Sequence, residues 1–244
     1  MIILRWAVRV HKWLALLIGL QVFLWLLGGL VMSALPIEQV RSEHNIAEHP
    51  ALAVSPASLL SLQQATDAAG LMAIDEATLD GLAGTPVWRL QSGDQVVLVS
   101  AEDGKRLTPL PETLARTIAE HDFAPDVPVK SVQLLENPPS EYGPGGPVWQ
   151  IVFQDEGDTR LYVDPDSGIV RARRSSTWRL FDFFWRLHVM DYNDGADFNH
   201  PLLIISAFLG VLVSIAGLVI LFFRMRRFLQ GRAAMKRRKS LSRL

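Results

Sequence analysis

The chain predicts an α+β membrane protein with two transmembrane helices, an extramembrane module of two helix–strand–strand repeats, and a juxtamembrane amphipathic helix. Three observations carry this. The stretches Trp13 to Leu35 and Leu202 to Phe223 hold no charged residue, and at about 1.5 Å per residue each crosses a roughly 30 Å hydrocarbon slab as a helix. Every acidic residue lies between Glu38 and Asp197, while both outer flanks are basic. Between the apolar stretches, two half-sequences repeat one pattern of strands and turns.

In chain order, residues 1–12 are a basic flank with Arg5, Arg9 and Lys12, and 13–35 the first membrane helix. A cleavable signal peptide competes for this stretch, given Ser33 and Ala34, but its apolar run exceeds the roughly 7–15 residues of a signal core. Residues 36–174 form the module, 175–201 a juxtamembrane helix and turn, and 202–223 the second membrane helix. Residues 224–244 are a basic tail with Arg224, Arg226, Arg227, Arg232, Lys236, Arg237, Arg238, Lys239 and Arg243. Short basic flanks stay in the cytoplasm. Both termini are therefore expected inside a bacterial inner membrane, with the acidic module in the periplasm. Such a surface attracts cations, although a merely solvated acidic domain is more frequent. Lipid is an expected partner and nucleic acid is not.

Cysteine is absent, which excludes disulfides, thiolate nucleophiles, cysteine-bound iron–sulfur clusters and covalent haem attachment. A redox centre would have to use histidine, methionine or carboxylate.

In the first half of the module, Val87-Trp88-Arg89-Leu90 is followed by Gln95 to Ser100 and a turn at Asp103-Gly104. In the second, Val148-Trp149-Gln150-Ile151 is followed by Arg160 to Val163 and the turn Asp164-Pro165-Asp166-Ser167-Gly168. A helix precedes each pair: Pro56 to Ala69 started by Ser55, and Glu112 to His121 after Pro111. No catalytic constellation is visible here. His44, His49 and His121 sit in polar surroundings and read as solvated imidazoles. Pro138 to Pro147 is a turn-rich loop, a connector by default.

The segment Thr177 to Met190 is unusually aromatic. As a helix it places Trp178, Phe181, Trp185 and His188 on one face and Arg179, Asp182 and Arg186 on another, the pattern of a helix lying in the membrane interface. A histidine on the apolar face either binds something or is satisfied by a hydrogen bond. The turn Asp191 to Asp197 returns the chain to the bilayer and sets His200 at the depth of His188. Two histidines at one membrane surface can supply both axial positions of a b-type haem, within one chain or across a dimer. His11 falls at the opposite face, where it is either one more interfacial residue or a ligand paired across a twofold dimer. Ser206, Gly210, Ser214 and Gly217 form a small-residue stripe on the second helix, explained more economically by helix contact than by a macrocycle.

Arg9-Val10-His11-Lys12-Trp13-Leu14-Ala15-Leu16-Leu17-Ile18-Gly19, the closing run Tyr162 to Gly168, and Leu187-His188 through Asn199-His200-Pro201 resemble the PepSY-associated transmembrane family. The resemblance covers nearly the whole chain; its terminal blocks are the more specific part. It implies a PepSY-like module, and larger relatives include ferric-siderophore reductases that bind b-type haem through membrane histidines. By matching position, His11, His188 and His200 are the candidate axial ligands of haem b, with Met32 and Met190 as alternatives. Arg179 and Arg186 are candidates for the haem propionates on charge and depth.

With two helices per chain, a haem reductase of this kind calls for a homodimer. The leading expectation is thus a ferric reductase for iron uptake, passing electrons to ferric iron or a ferric chelate. Its electrons would come from a separate cytoplasmic flavin or quinol donor, since no nucleotide-binding glycine motif is present. The alternative is a membrane-anchored PepSY module that binds and regulates a periplasmic protein such as a peptidase, or an accessory subunit of a transporter or respiratory complex.

Overall fold

In the computed structural model the chain divides into a helical unit, residues 1–34 with 183–244, and a module, residues 35–182. The structure describes residues 2–50, 52–192, 197 and 199–241, with no side chains from 233 onward. Asn193, Asp194, Gly195 and Ala196 of the expected turn lie outside the described residues, as does the tail from Ser242.

The helical unit pairs α1 (Ile2–Ala34) with α6 (Pro201–Leu241), both long and apolar enough to cross a membrane. Helix α1 starts eleven residues before the apolar run, because Arg5, Arg9 and Lys12 interrupt the hydropathy without interrupting good helix formers. Likewise α6 continues through the basic tail. Most of their large apolar side chains, including Leu16, Leu20, Phe23, Phe208, Leu218 and Phe222, face outward. Ile18, Gly28, Ser206 and Ala216 are buried.

The module begins with two single turns, α2 (Ile37–Val40) and a 3-10 turn at Glu43–Asn45. Helix α3 (Leu62–Ala69) precedes an antiparallel sheet in the order β1 (Glu76–Leu82), β2 (Thr85–Ser92), β3 (Gln95–Ser100). Helix α4 (Glu112–Asp122) precedes a second sheet in the order β4 (Val129–Leu135), β5 (Val148–Phe153), β6 (Arg160–Val163), β7 (Val170–Arg174). Helix α5 (Ser176–Val189) follows. Each helix is thus followed by three or four strands rather than the two expected. The additional strands β1, β4 and β7 are sheet edges, and the charges of Glu76, Asp80, Lys130, Arg171, Arg173 and Arg174 disguise them. Charge within these strands blurs the alternation of apolar and polar residues that marks a strand.

Helix α3 is shorter than expected. Pro56–Ser58 is a separate 3-10 turn, and the α-helix starts at Ser61, whose hydroxyl accepts from Gln64 N while the Gln64 side chain accepts from Ser61 N. This capping box satisfies two backbone donors at once and outcompetes Ser55 as the start.

Period-two alternation then builds the core. From β3, Val97 and Val99 pack with Leu90 against Ala65 and Ala69 of α3. Leu98 points the other way, into a core shared with Val87, Ile118, Phe123, Ile151, Phe153 and Leu161. The two halves also repeat one bond. The Trp88 indole N–H donates to Leu60 O and the Trp149 indole to Leu110 O, both at 3.0 Å. Each acceptor lies two residues before the helix of its own half. Gly168, at φ 68°, closes the second half, and a Cβ there would stand 2.8 Å from Leu82 Cδ1.

Candidate functional site

The polar residues of the helical unit are used mainly to join its elements. The last carbonyls of any helix lack intrahelical donors. At the end of α5, Leu187 O accepts from Gln21 Nε2 at 3.3 Å, His188 O from the Trp25 indole at 2.7 Å, and Val189 O from His200 Nε2 at 2.8 Å. Three consecutive carbonyls are capped by side chains from elsewhere, and Met190 then leaves the helix at φ 57°. Gly28 lets α5 approach, since a Cβ there would meet Phe184 O at 3.4 Å and His188 Cβ at 3.9 Å.

His200 has a second task. Its Nδ1 lies 3.4 Å from Leu203 N and its carbonyl accepts from Ile204 N, so it caps the start of α6 just before Pro201, where proline suits the first helical position. Nε2 thus faces the Val189 carbonyl at the end of α5 while Nδ1 faces the first turn of α6. The His188 ring is tilted at 47° to Trp25 with centroids 6.3 Å apart, and its Nδ1 is buried without a hydrogen-bond partner.

His11 sits deeper along the helix pair than its place in the sequence suggests. Its Nδ1 lies 3.0 Å from Val213 O, and its Cε1 would be 3.4 Å from a Cβ on Gly217. Val213 and Gly217 fall six to ten residues before Phe223, the end of the apolar run, or roughly 9–15 Å of helix. Gly217 bares the flank of α6, so the imidazole reaches a carbonyl whose second lone pair remains available. Trp25 makes the corresponding approach at Gly210, 3.7 Å from a Cβ placed there. The small-residue stripe is therefore a helix-contact surface, except that Ser214 is exposed and bonds Gly210 O within its own helix.

These positions bear on haem. His11 offers an oriented Nδ1 and leaves Nε2 for a ligand, the usual arrangement of a ligating histidine. His200 does not fit, because both of its nitrogens hold helix ends. The α1 residues beside His188 are Trp25 and Gly28, some 14–17 residues from His11, or roughly 21–25 Å, so one haem cannot join His11 to His188 within a chain. No group of three or more metal-ligating side chains occurs among the described residues. Arg179 is committed to the module: its Nη2 donates to Gly157 O at 2.7 Å and to Asp158 O at 3.1 Å. Arg186 is half-buried and also engaged.

A second site lies in the module, and sequence reading missed it because its histidines are 72 residues apart. The strand-like segment Asn45–Ala47 pairs with Asp122–Ala124 through Ala47 N to Asp122 O and Ala124 N to Asn45 O, both 2.8 Å. This carries His49 onto His121, where the rings stack with centroids 3.5 Å apart and His49 Nε2 lies 2.6 Å from His121 O. Burial lowers the pKa of His121, the neighbouring His49 lowers it further, and Asp122 opposes them.

The pair borders a cleft of about 630 Å³ that also includes Pro50, Leu52, Asp80, Gly81 and Gly84. Asp80 is bound to Arg89 at 2.6 Å. The cleft therefore presents apolar surface, glycine backbone and an imidazole face. It adjoins β1, which pairs with β2 on one side only. The outer side of β3, by contrast, is covered by Lys105 to Thr108, through Ser100 N to Lys105 O and Leu107 N to Leu98 O.

Comparison with known proteins gives the family. The PepSY-associated TM region model matches residues 8–244, so the chain belongs to that family. No curated protein and no solved structure matches it.

Proposed function

We propose that this PepSY-family membrane protein is an anchored binding module, held in the bacterial inner membrane with its module in the periplasm, that binds and regulates a second protein such as a peptidase. The observation that carries this reading is the one-sided pairing of β1 beside the His49–His121 cleft. An open strand edge accepts an extended segment through main-chain hydrogen bonds, and an adjoining cleft adds selectivity. Across 35–182 the carboxylates outnumber Lys and Arg 22 to 11, which favours a basic segment.

A photo-reactive side chain at Leu79, an exposed position of β1, is expected to give a discrete adduct with another protein in cells. Thr78→Lys, which places a charge on the open edge, is expected to lower its yield several-fold. The same adduct from Arg171 on β7, or an adduct only with a second copy, would overturn the reading.

A second reading is favoured by His11, with its fixed Nδ1 and uncommitted Nε2, and by the unpartnered Nδ1 of His188. It is a homodimer holding haem b between two copies and passing electrons from a flavin or quinol donor to ferric iron or a ferric chelate. Haem would supply the redox couple; the chain would supply ligation and an apolar surround. Oxidised and reduced visible spectra test it. Bands of a six-coordinate b-type haem that vanish in His11→Ala would establish it, and a colourless, well-folded protein would remove it.

A further inference from the structure

We propose that the N-terminal end of α1 and the adjoining part of α6 form a site for the headgroup of an anionic phospholipid. A cleft of about 220 Å³ opens there, lined by Leu4, Phe223, Arg226, Arg227 and Gln230. Its lining is graded along α6. Phe223 closes the apolar run and Leu4 faces it from α1, the two guanidinium groups follow within one turn, and the Gln230 amide lies one turn further. A phospholipid has the same order: acyl chain, phosphate, polar head.

The charge has no counterpart within these helices. Residues 2–34 and 201–241 contain no Asp or Glu, and the acidic side chains that precede α6 end at Asp197. Arg226 lies 25 residues beyond Pro201, roughly 37 Å of helix. Guanidinium groups beside a low-dielectric slab attract phosphate strongly, and their planar forks bind its oxygens in pairs. A free phosphate would satisfy the same groups but would leave Leu4 and Phe223 uncovered, so the apolar side of the cleft selects the lipid.

Native mass spectrometry of the full chain in detergent tests this with phosphatidylglycerol, phosphatidylcholine and inorganic phosphate as probes. One phosphatidylglycerol is expected to be retained in preference to phosphatidylcholine. Replacing both Arg226→Gln and Arg227→Gln should weaken that retention roughly 25-fold, at about a fivefold factor for each cation. The pair Arg226→Lys and Arg227→Lys keeps the charge, guards against misfolding, and should lose only part of it. Arg224→Gln with Arg232→Gln, outside the cleft, should retain the lipid. Equal retention of the two lipids, equal loss in the outside pair, or no loss in either cleft pair would overturn the proposal. Displacement of the lipid by millimolar inorganic phosphate would also overturn it, by assigning the cleft to the free anion.

Discussion

The helical unit and the module solve the same packing problem by opposite means. In the helical unit, His11, Gln21 and Trp25 tie α1 to its neighbours, and each ends on a backbone carbonyl. Glycines at 28, 210 and 217 bring the elements close enough for those bonds. In the module, buried Leu, Val, Ile and Phe fill the interior, and cations bind carboxylates around it: Arg173 to Asp122, Arg160 to Glu141, Arg171 to Asp164. The contrast follows from the solvent. Water drives apolar side chains together, whereas lipid tails are as apolar as leucine and leave association to close packing and hydrogen bonds. A polar side chain inside an apolar helix is then the adhesive itself, whereas in the module the Trp88 and Trp149 indoles tie segments onto a core that apolar burial already holds together.

The largest test truncates one leucine in each region. Leu98→Ala empties a fully buried place in the shared core and is expected to destabilise the module by about 2–5 kcal/mol in denaturant unfolding followed by tryptophan fluorescence. Leu20→Ala, on the outward face of α1, is expected to leave the pairing of α1 with α6 unchanged; an equal loss there would break the comparison.

Next in size is Trp25→Phe, which keeps the ring but removes the donor to His188 O. It should weaken the helical unit by about 0.6–1.7 kcal/mol, read as a change in the separation of α1 from the end of α5 in bilayers. The module should keep its unfolding midpoint.

Protonation offers a test within the module. His121 is held below its ordinary 6.5 chiefly by burial, so the unfolded chain binds its proton more readily than the folded one. Stability should therefore fall as pH drops below about 6.5 and level off above it. His121→Gln should flatten that slope between pH 5.5 and 7.5 in thermal unfolding. Asp164 acts at lower pH. Burial pushes its carboxyl upward, but the N–H groups of Ser167 and Asp166 and the Arg171 guanidinium outweigh burial and hold it below 3.8. Its contribution should be complete above 3.8 and vanish as pH falls through the depressed value.

The smallest expected effect belongs to Arg116→Ala, which removes an exposed ion pair with Glu120 one helical turn away. Pairs of this kind contribute about 0.3–0.5 kcal/mol, so the unfolding midpoint should barely move.

Features set by local pattern were legible in the sequence. The two apolar runs, the strands Gln95–Ser100 and Arg160–Val163, and helix α4 after Pro111 follow from composition and turn chemistry alone. Ser61 and Gln64 also spell a capping box, which marks the start of α3 more specifically than Ser55 does. What stayed hidden depends on distance across the fold. Edge strand β1 reads Glu-Ala-Thr-Leu-Asp-Gly-Leu and lacks alternation because neither of its faces is covered along most of its length, only Leu82 being buried. His49 and His121 meet only after Asn45–Ala47 docks on the end of α4. Both nitrogens of His200 are engaged because α5 ends where α6 begins, and Pro201, a ready first helical residue after a capping position, was the one local sign of it.

The pairing of α1 with α6 has a consequence for the chain as a polymer. The module occupies 35–182, between two segments that clasp each other, so when it unfolds it does so as a closed loop rather than as a chain with free ends. Fixing the ends of a loop longer than 100 residues removes configurational freedom worth roughly 4–5 kcal/mol when the closure is as tight as a covalent cross-link. The helix pair thus restrains the unfolded module much as a disulfide would, in a protein that has no cysteine with which to form one.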